Sequence, residues 1–188
     1  SPSHFSAEAI AQAKSDFAHL SETTAKTAIV ILGGDSKAHT FSDDAATRLI
    51  NHLRAVSEQG WHLRITTSRR TPVGVSEAVR AFATENGSEF WTGPEDGPNP
   101  YLAWLLHSDA AIVTEDSANM LCDAAWHGLP IHMARLEGGS PKFDRLHQSL
   151  IERGVARWFE GQIESWTYEP RREGERVADI IIESLLSR

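Results

Sequence analysis

The segment that most constrains the fold of this chain spans residues 110–130. It opens with the apolar run Ala-Ala-Ile-Val at 110–113, which is typical of a short buried strand, and a polar turn follows. Ser117 is a residue type favoured at helix N-caps, whereas Gly128 and Pro130 are types that end helices. The segment therefore predicts a strand, a turn and a helix in succession.

This succession also predicts an anion site. The first turn of a helix has backbone N–H groups without intrahelical partners, and the helix dipole adds partial positive charge there. A helix that begins near Ser117 has these groups just beyond the end of a strand. Because open α/β folds bind ligands at the carboxyl edge of the sheet, we expect a phosphate group at this position.

Apolar runs and helical stripes alternate along the rest of the chain. Strands are predicted at 27–32, 61–67, 88–91, 110–113 and 131–134. Helices are predicted at 6–20, 46–56, 75–83, 99–106, 117–128, 142–153 and 174–186. Repeated strand–helix alternation is typical of a parallel sheet with helices on both faces, so the chain is predicted to form a Rossmann-like α/β domain.

Composition excludes several classes of protein. No apolar run approaches the roughly 20 residues of a membrane-spanning helix, and the net charge of −8 argues against general nucleic-acid binding. Cys122 is the single cysteine, which excludes an internal disulfide and favours a reducing, cytoplasmic location. The nine histidines form no motif with metal-ligand spacing, so no metal site is predicted.

Polar turns follow four of the predicted strands and are expected to converge at one edge of the sheet. The turn at Gly33-Gly34 either lets backbone N–H groups approach a ligand or is an ordinary turn. Arg69 and Arg70 suit a diphosphate, because guanidinium groups bind phosphate bidentately, although a solvated pair is the common alternative. Asp123 either accepts hydrogen bonds from a ribose or is an exposed helix residue.

The turns carry recognisable motifs at 33–37 (Gly-Gly-Asp-Ser-Lys), 67–72 (Thr-Ser-Arg-Arg-Thr-Pro), 99–101 (Asn-Pro-Tyr) and 113–120 (Val-Thr-Glu-Asp-Ser-Ala-Asn-Met). In this order they resemble the mitochondrial-fission "elongated mitochondria" family, whose bacterial members are often labelled nucleoside-diphosphate-sugar epimerases. The turns and this resemblance together give the candidate nucleotide- and diphosphate-binding residues: Gly33, Gly34, Ser36, Lys37, Ser68, Arg69, Arg70, Asn99, Tyr101, Thr114, Asp116, Ser117, Asn119, Met120 and Asp123.

The resemblance implies a relationship to GT-B glycosyltransferases and to UDP-N-acetylglucosamine 2-epimerases. These proteins hold a nucleotide sugar between two Rossmann-like domains, mainly through the C-terminal one. By this resemblance, residues 27–188 are the nucleotide-sugar-binding domain, 1–26 are an interdomain helix and linker, and an N-terminal domain of comparable size is a missing partner. Ser117 then holds the diphosphate, and Asp123 stands at the ribose position, where those proteins have Glu.

The expected function is the donor half of a metal-independent, GT-B-like glycosyltransferase. Its substrate is a nucleoside diphosphate sugar, no cofactor is required, and the acceptor is one that can be membrane-associated. No catalytic residue is assigned to this chain. Two alternatives stay open: a nucleoside-diphosphate-sugar epimerase or hydrolase, and a non-catalytic scaffold of the mitochondrial-fission type.

Overall fold

The structure is a computed structural model that describes residues 5–170 and residue 179. Its strands are β1 (Thr27–Leu32), β2 (His39–Thr40), β3 (His62–Thr67), β4 (Glu89–Trp91), β5 (Ala110–Thr114), β6 (Ile131–Ala134), β7 (Glu137–Gly138) and β8 (Ala156–Trp158). Its helices are α1 (Ala7–Asp16), α2 (Asp43–Glu58), α3 (Val73–Asn86), α4 (Tyr101–Leu106), α5 (Ala118–Trp126) and α6 (Pro141–Glu152). The helix predicted at 174–186 lies outside the described residues.

Six of these strands form one parallel sheet in the order β4-β3-β1-β5-β6-β8. The chain builds outward from β1 to β4, returns to the centre at β5, and then builds outward to β8 on the other side. This order confirms the predicted Rossmann-like α/β class. The reversal of direction creates a topological switch point between β1 and β5, which is where folds of this kind bind ligands.

Both faces of the sheet are buried, because successive residues of a strand point to opposite faces. In β1, Ile29 and Ile31 pack in one core cluster, whereas Val30 and Leu32 pack in the other. The first cluster takes residues from α4, α5 and α6, and the second takes residues from α2 and α3. Every residue of β1 is therefore inaccessible to water, which explains why its sequence is a continuous apolar run rather than an alternating one.

The structure corrects several predicted boundaries. The helix predicted at 6–20 ends at Asp16, and a 3₁₀ turn follows at Ala18–Glu22. The sixth strand of the sheet, β8, was not predicted, because it is three residues long and places the charged Arg157 at its centre. A second sheet, formed by the antiparallel pair β2 and β7, was also not predicted. It joins the loop after β1 to the loop after β6 across the carboxyl edge of the main sheet.

Candidate functional site

A cavity of about 400 Å³ opens at the carboxyl edge of the sheet, next to the topological switch point. Its walls include Ile31 at the end of β1, Trp91 at the end of β4, and Ser117 after β5. The cavity therefore stands where the topology of the sheet leads one to expect a ligand. Eight of the candidate residues line it: Ser68, Arg70, Asn99, Tyr101, Ser117, Asn119, Met120 and Asp123.

Helix α5 begins at the edge of this cavity. Ser117 is its N-cap residue and has an extended backbone, as N-caps usually do. Its hydroxyl, however, accepts no cap hydrogen bond from the helix, which corrects the expectation of a side-chain cap. Ser117 lines the cavity together with Asn119 and Met120 of the first turn of the helix.

A pair of polar side chains stands on the wall formed by α4 and α5. The hydroxyl of Tyr101 donates to Oδ2 of Asp123 across 3.0 Å. Burial, and next the charge of Asp123, raise the pKa of Tyr101 well above its ordinary value, so the phenol stays protonated. The backbone N–H of Tyr101 donates to Oδ1 of Asn99, which fixes the start of α4 one residue later than the predicted Asn99-Pro100 start.

The Gly33-Gly34 turn does not offer its N–H groups to a ligand. Gly33 N donates to Oγ1 of Thr114 across 2.7 Å, and Gly34 N donates to Oδ2 of Asp116 across 3.0 Å. Glycine is required here for a different reason. A Cβ on Gly33 would lie 2.2 Å from Oδ1 of Asp116, and one on Gly34 would lie 2.0 Å from the carbonyl oxygen of Arg70.

Asp116 is a structural anchor of the polar turns. The residue is 4% exposed, and its carboxylate accepts hydrogen bonds from Gly34, Thr114 and Arg70. The guanidinium of Arg70 also donates to the carbonyl oxygens of Gly34 and Asp35. Arg70 therefore ties the loop after β1 to the turn after β5, while still lining the cavity.

The remaining candidates lie outside the cavity. Arg69 is exposed and does not line it, so the two arginines do not act there as a pair. The hydroxyl of Ser36 accepts from the backbone N–H groups of Ala38 and His39, which stabilises the turn before β2. Lys37 is exposed on the same turn, and Thr114 is fully buried beneath Asp116.

Four lining residues were not predicted: Ile31, Thr66, Thr67 and Trp91. All four lie at the carboxyl ends of β1, β3 and β4, within the last two residues of each strand. A prediction that included the ends of the strands as well as the turns after them would have found them. They were missed because they sit within apolar or β-branched runs and look like ordinary strand residues. Trp91 provides the largest aromatic surface of the four.

The described part of the chain contains no group of three or more His, Cys, Asp or Glu side chains arranged to hold a metal ion. Within the same residues, no helix is both long and apolar enough to span a membrane. His132, a buried residue of β6, accepts a hydrogen bond from the backbone N–H of Glu164, so it serves the core rather than the cavity.

Fold and site together define a class: a Rossmann-like domain with a cavity at its topological switch point. Comparison with known sequences gives the family. The model of the mitochondrial fission ELM1 family matches residues 1–185, so the chain belongs to that family.

Two curated proteins are similar to this chain in sequence. The chain is 32% identical over 164 residues to the mitochondrial fission protein ELM1 of Arabidopsis thaliana, covering 85% of this chain and 38% of the relative. It is 31% identical over 175 residues to the uncharacterized protein RP120 of Rickettsia prowazekii (strain Madrid E), covering 88% of this chain and 47% of the relative. The chain thus spans less than half the length of either relative.

Solved structures with a similar arrangement include the molybdenum cofactor carrier protein of Chlamydomonas reinhardtii, at 13% identity and a TM-score of 0.47. A second is the structural-genomics protein TM1055, at 19% identity and a TM-score of 0.45. The match covers 84% of this chain and 99% of the solved chain in both cases.

Proposed function

We propose that this domain binds the nucleoside diphosphate part of a nucleotide sugar and serves as the donor half of a GT-B-like glycosyltransferase. The observation that carries the proposal is the start of α5 at the cavity wall. There, the hydroxyl of Ser117 is not used as a helix cap and lies together with the first turn of the helix. A helix N-terminus attracts anionic groups, and a nearby hydroxyl adds a hydrogen-bond donor.

Arg70 supports the placement of the diphosphate. It lines the cavity, and its side chain is 43% exposed even though one nitrogen pairs with Asp116. A guanidinium has five N–H donors, so an arginine held by a carboxylate still has donors for a phosphate. In glycosyl transfer, negative charge develops on the leaving diphosphate. The helix N-terminus and Arg70 would stabilise that charge electrostatically without a metal ion.

The other end of the cavity suits the nucleoside. Asp123 is 8% exposed and the Tyr101 hydroxyl already donates its proton to it, so both offer acceptor atoms to the hydroxyl groups of a ribose. Asp123 lies on α5 beyond Ser117, and Tyr101 lies at the start of α4. Trp91 lines the same cavity and gives an aromatic surface against which a base can stack. The nucleotide would thus extend from the first turn of α5 toward α4 and β4.

Calorimetric titration with UDP, GDP, ADP, CMP and their common sugar conjugates tests this proposal. We expect one nucleoside diphosphate to bind saturably, and Ser117→Ala to weaken its binding by about 1–3 kcal/mol, the range for one lost hydrogen bond to a charged group. Lys37→Ala is the matched control, because Lys37 is exposed and lies outside the cavity. Absence of binding by every nucleotide would overturn the proposal.

A non-catalytic scaffold is the second candidate. The observation that favours it is that Arg70, the cation among the described residues that line the cavity, already pairs with Asp116. A cavity whose cation is neutralised can persist as part of the fold without binding a diphosphate. The same titration separates the two candidates, since the scaffold role predicts that no nucleotide binds.

A further inference from the structure

A second cavity, of about 300 Å³, opens at the same edge of the sheet but on the other side of the turn after β5. Glu115 lines the second cavity and Ser117 lines the first, so residues two positions apart face different cavities. Asp116 between them is directed toward Gly34 and Arg70. The turn from Thr114 to Ser117 is therefore a wall with a separate cavity on each side.

Glu115, in the wall of the second cavity, is held by hydrogen bonds to neighbouring elements. Oε1 of Glu115 accepts from the backbone N–H of Leu136 across 2.7 Å, and the Glu115 residue is 9% exposed. His147 of α6 donates from Nε2 to the backbone oxygen of Glu115 across 2.8 Å, and its Nδ1 lies 3.6 Å from Oε2 of the same residue. Burial lowers the pKa of His147, so a neutral imidazole fills this position.

The side chains around this cavity include both acceptors and donors of hydrogen bonds. The carboxylates of Glu115 and Asp144 accept, and Arg135 donates. The amide nitrogen of Gln148 donates to Glu152, so the group that Gln148 has for a ligand is its amide oxygen, which accepts. Two carboxylates against one guanidinium disfavour a phosphate in this cavity. Hydroxyl groups, which donate and accept at once, match such a mixture.

Trp158 adds an apolar surface to this polar lining. Its ring is half-buried at the end of β8, and the guanidinium of Arg135 lies 3.7 Å from the ring centroid. This stacking holds Arg135 at the cavity and covers part of one face of the ring, and His147 packs edge-on against the same ring. A ligand that has hydroxyl groups along its edge and C–H groups on its face fits the remaining apolar surface of the ring beside the carboxylates.

We propose that this second cavity binds a saccharide ring that is not attached to the nucleotide. The inference goes beyond the proposed function, because it assigns a second ligand to this domain and needs no nucleotide for binding. Under a glycosyltransferase activity, the ring would be a sugar of the acceptor, lying across the 114–117 turn from the diphosphate.

Saturation-transfer NMR with glucose, galactose, mannose and N-acetylglucosamine as free monosaccharides tests the proposal. We expect at least one of them to bind at millimolar concentration, and Asp144→Asn and Gln148→Ala each to weaken it by about tenfold, as for the loss of one hydrogen bond to a charged or polar partner. Both residues are exposed on α6, so the variants are expected to fold. Arg145→Gln, an exposed change on the same helix outside the cavity, is expected to leave binding unchanged.

Comparison with the nucleotide titration separates this inference from the proposed function. Ser117→Ala is expected to weaken nucleotide binding and leave the free sugars unaffected, and Asp144→Asn is expected to do the reverse. The inference is overturned if none of the four sugars binds, if binding is insensitive to Asp144 and Gln148, or if only the nucleotide-linked sugars engage these residues.

Discussion

The guanidinium of Arg70 lies 2.7 Å from the carboxylate of Asp116, and this ion pair joins the loop after β3 to the turn after β5. The partners differ in exposure, since the Asp116 side chain is inaccessible to water whereas that of Arg70 is 43% exposed. Asp116 also accepts from Gly34 N and from the hydroxyl of Thr114. Three strand ends at the switch point are thus held by one buried carboxylate.

Removing this carboxylate is expected to destabilise the protein. Asp116→Ala leaves the N–H of Gly34 and the hydroxyl of Thr114 without their buried partner, and it leaves Arg70 unpaired. We expect the free energy of unfolding to fall by about 2–3 kcal/mol. The ion pair contributes only a small part of this loss, because Arg70 is partly solvated and water screens its charge. Urea denaturation followed by circular dichroism measures this. Arg69→Ala is the control and is expected to change stability by less than about 0.5 kcal/mol.

The glycines of the loop after β1 are expected to be intolerant of any side chain. In Gly34→Ala the new Cβ would meet the backbone oxygen of Arg70 at 2.0 Å, which no rotamer change can relieve. We expect a loss of at least about 2 kcal/mol in thermal or urea unfolding. Gly74→Ala in α3 meets nothing within 4 Å and should stabilise the protein by up to about 1 kcal/mol. Equal stabilities for the two variants would show that the close approach does not exist.

The sequence predicted the parts of this molecule that follow from local pattern. The apolar runs that became β1, β5 and β6 are buried on both faces, so their signal is strong. The edge strand β8 gave no such signal, because edge strands are short and tolerate charge. Because the carboxyl ends of parallel strands share one edge of the sheet, the sequence also indicated which turns converge. It did not indicate which polar groups form hydrogen bonds with one another there.

The Gly33-Gly34 turn illustrates this limit. Its sequence suits either a ligand loop or a close backbone approach, and only the three-dimensional position of Asp116 decides for the second. Arg69 and Arg70 are adjacent and chemically equivalent in the sequence, but only Arg70 reaches the Asp116 carboxylate and the cavity. The two arginines differ because Arg70 contacts a residue that is distant in the sequence, and local sequence does not predict such contacts.

Cys122 is expected to be unreactive in the folded protein. It is 3% exposed in α5, and burial, followed by the nearby charge of Asp123, raises the pKa of its thiol to about 11. Because the thiolate is the reactive form, we expect reaction with an aromatic disulfide reagent at pH 8 to be at least roughly 100-fold slower in the native protein than in denaturant. Similar rates in the two states would contradict the buried position of this thiol.

Stability is expected to decline in mild acid because of His132. Burial lowers the pKa of His132 to about 4 from an ordinary 6.5, and its ring accepts a hydrogen bond from the N–H of Glu164. Between pH 6.5 and pH 4 the His132 side chain is protonated in the unfolded chain but neutral in the folded protein. The contribution of neutral His132 to stability is therefore complete above pH 6.5 and is lost as the pH falls toward 4. This residue alone should account for about 3 kcal/mol.

Denaturation curves between pH 7.5 and 4 for the protein and for His132→Gln measure this effect. The amide oxygen of Gln can still accept from Glu164 but does not titrate, so the variant should lose less stability over this range. The buried His147 has a pKa that is also lowered, and it remains in both proteins. Parallel curves would therefore contradict the assignment to His132.

If α5 and Ser117 hold a diphosphate, inorganic pyrophosphate binds there without the correct base. Titration with pyrophosphate, followed through the backbone amide resonances by ¹⁵N-correlated NMR, measures this binding. We expect saturable shifts that are largest at residues 118–120, and their loss or weakening in Ser117→Ala. Shifts confined to exposed arginines such as Arg48 and Arg135, or no saturable shift, would contradict a diphosphate site at the start of this helix.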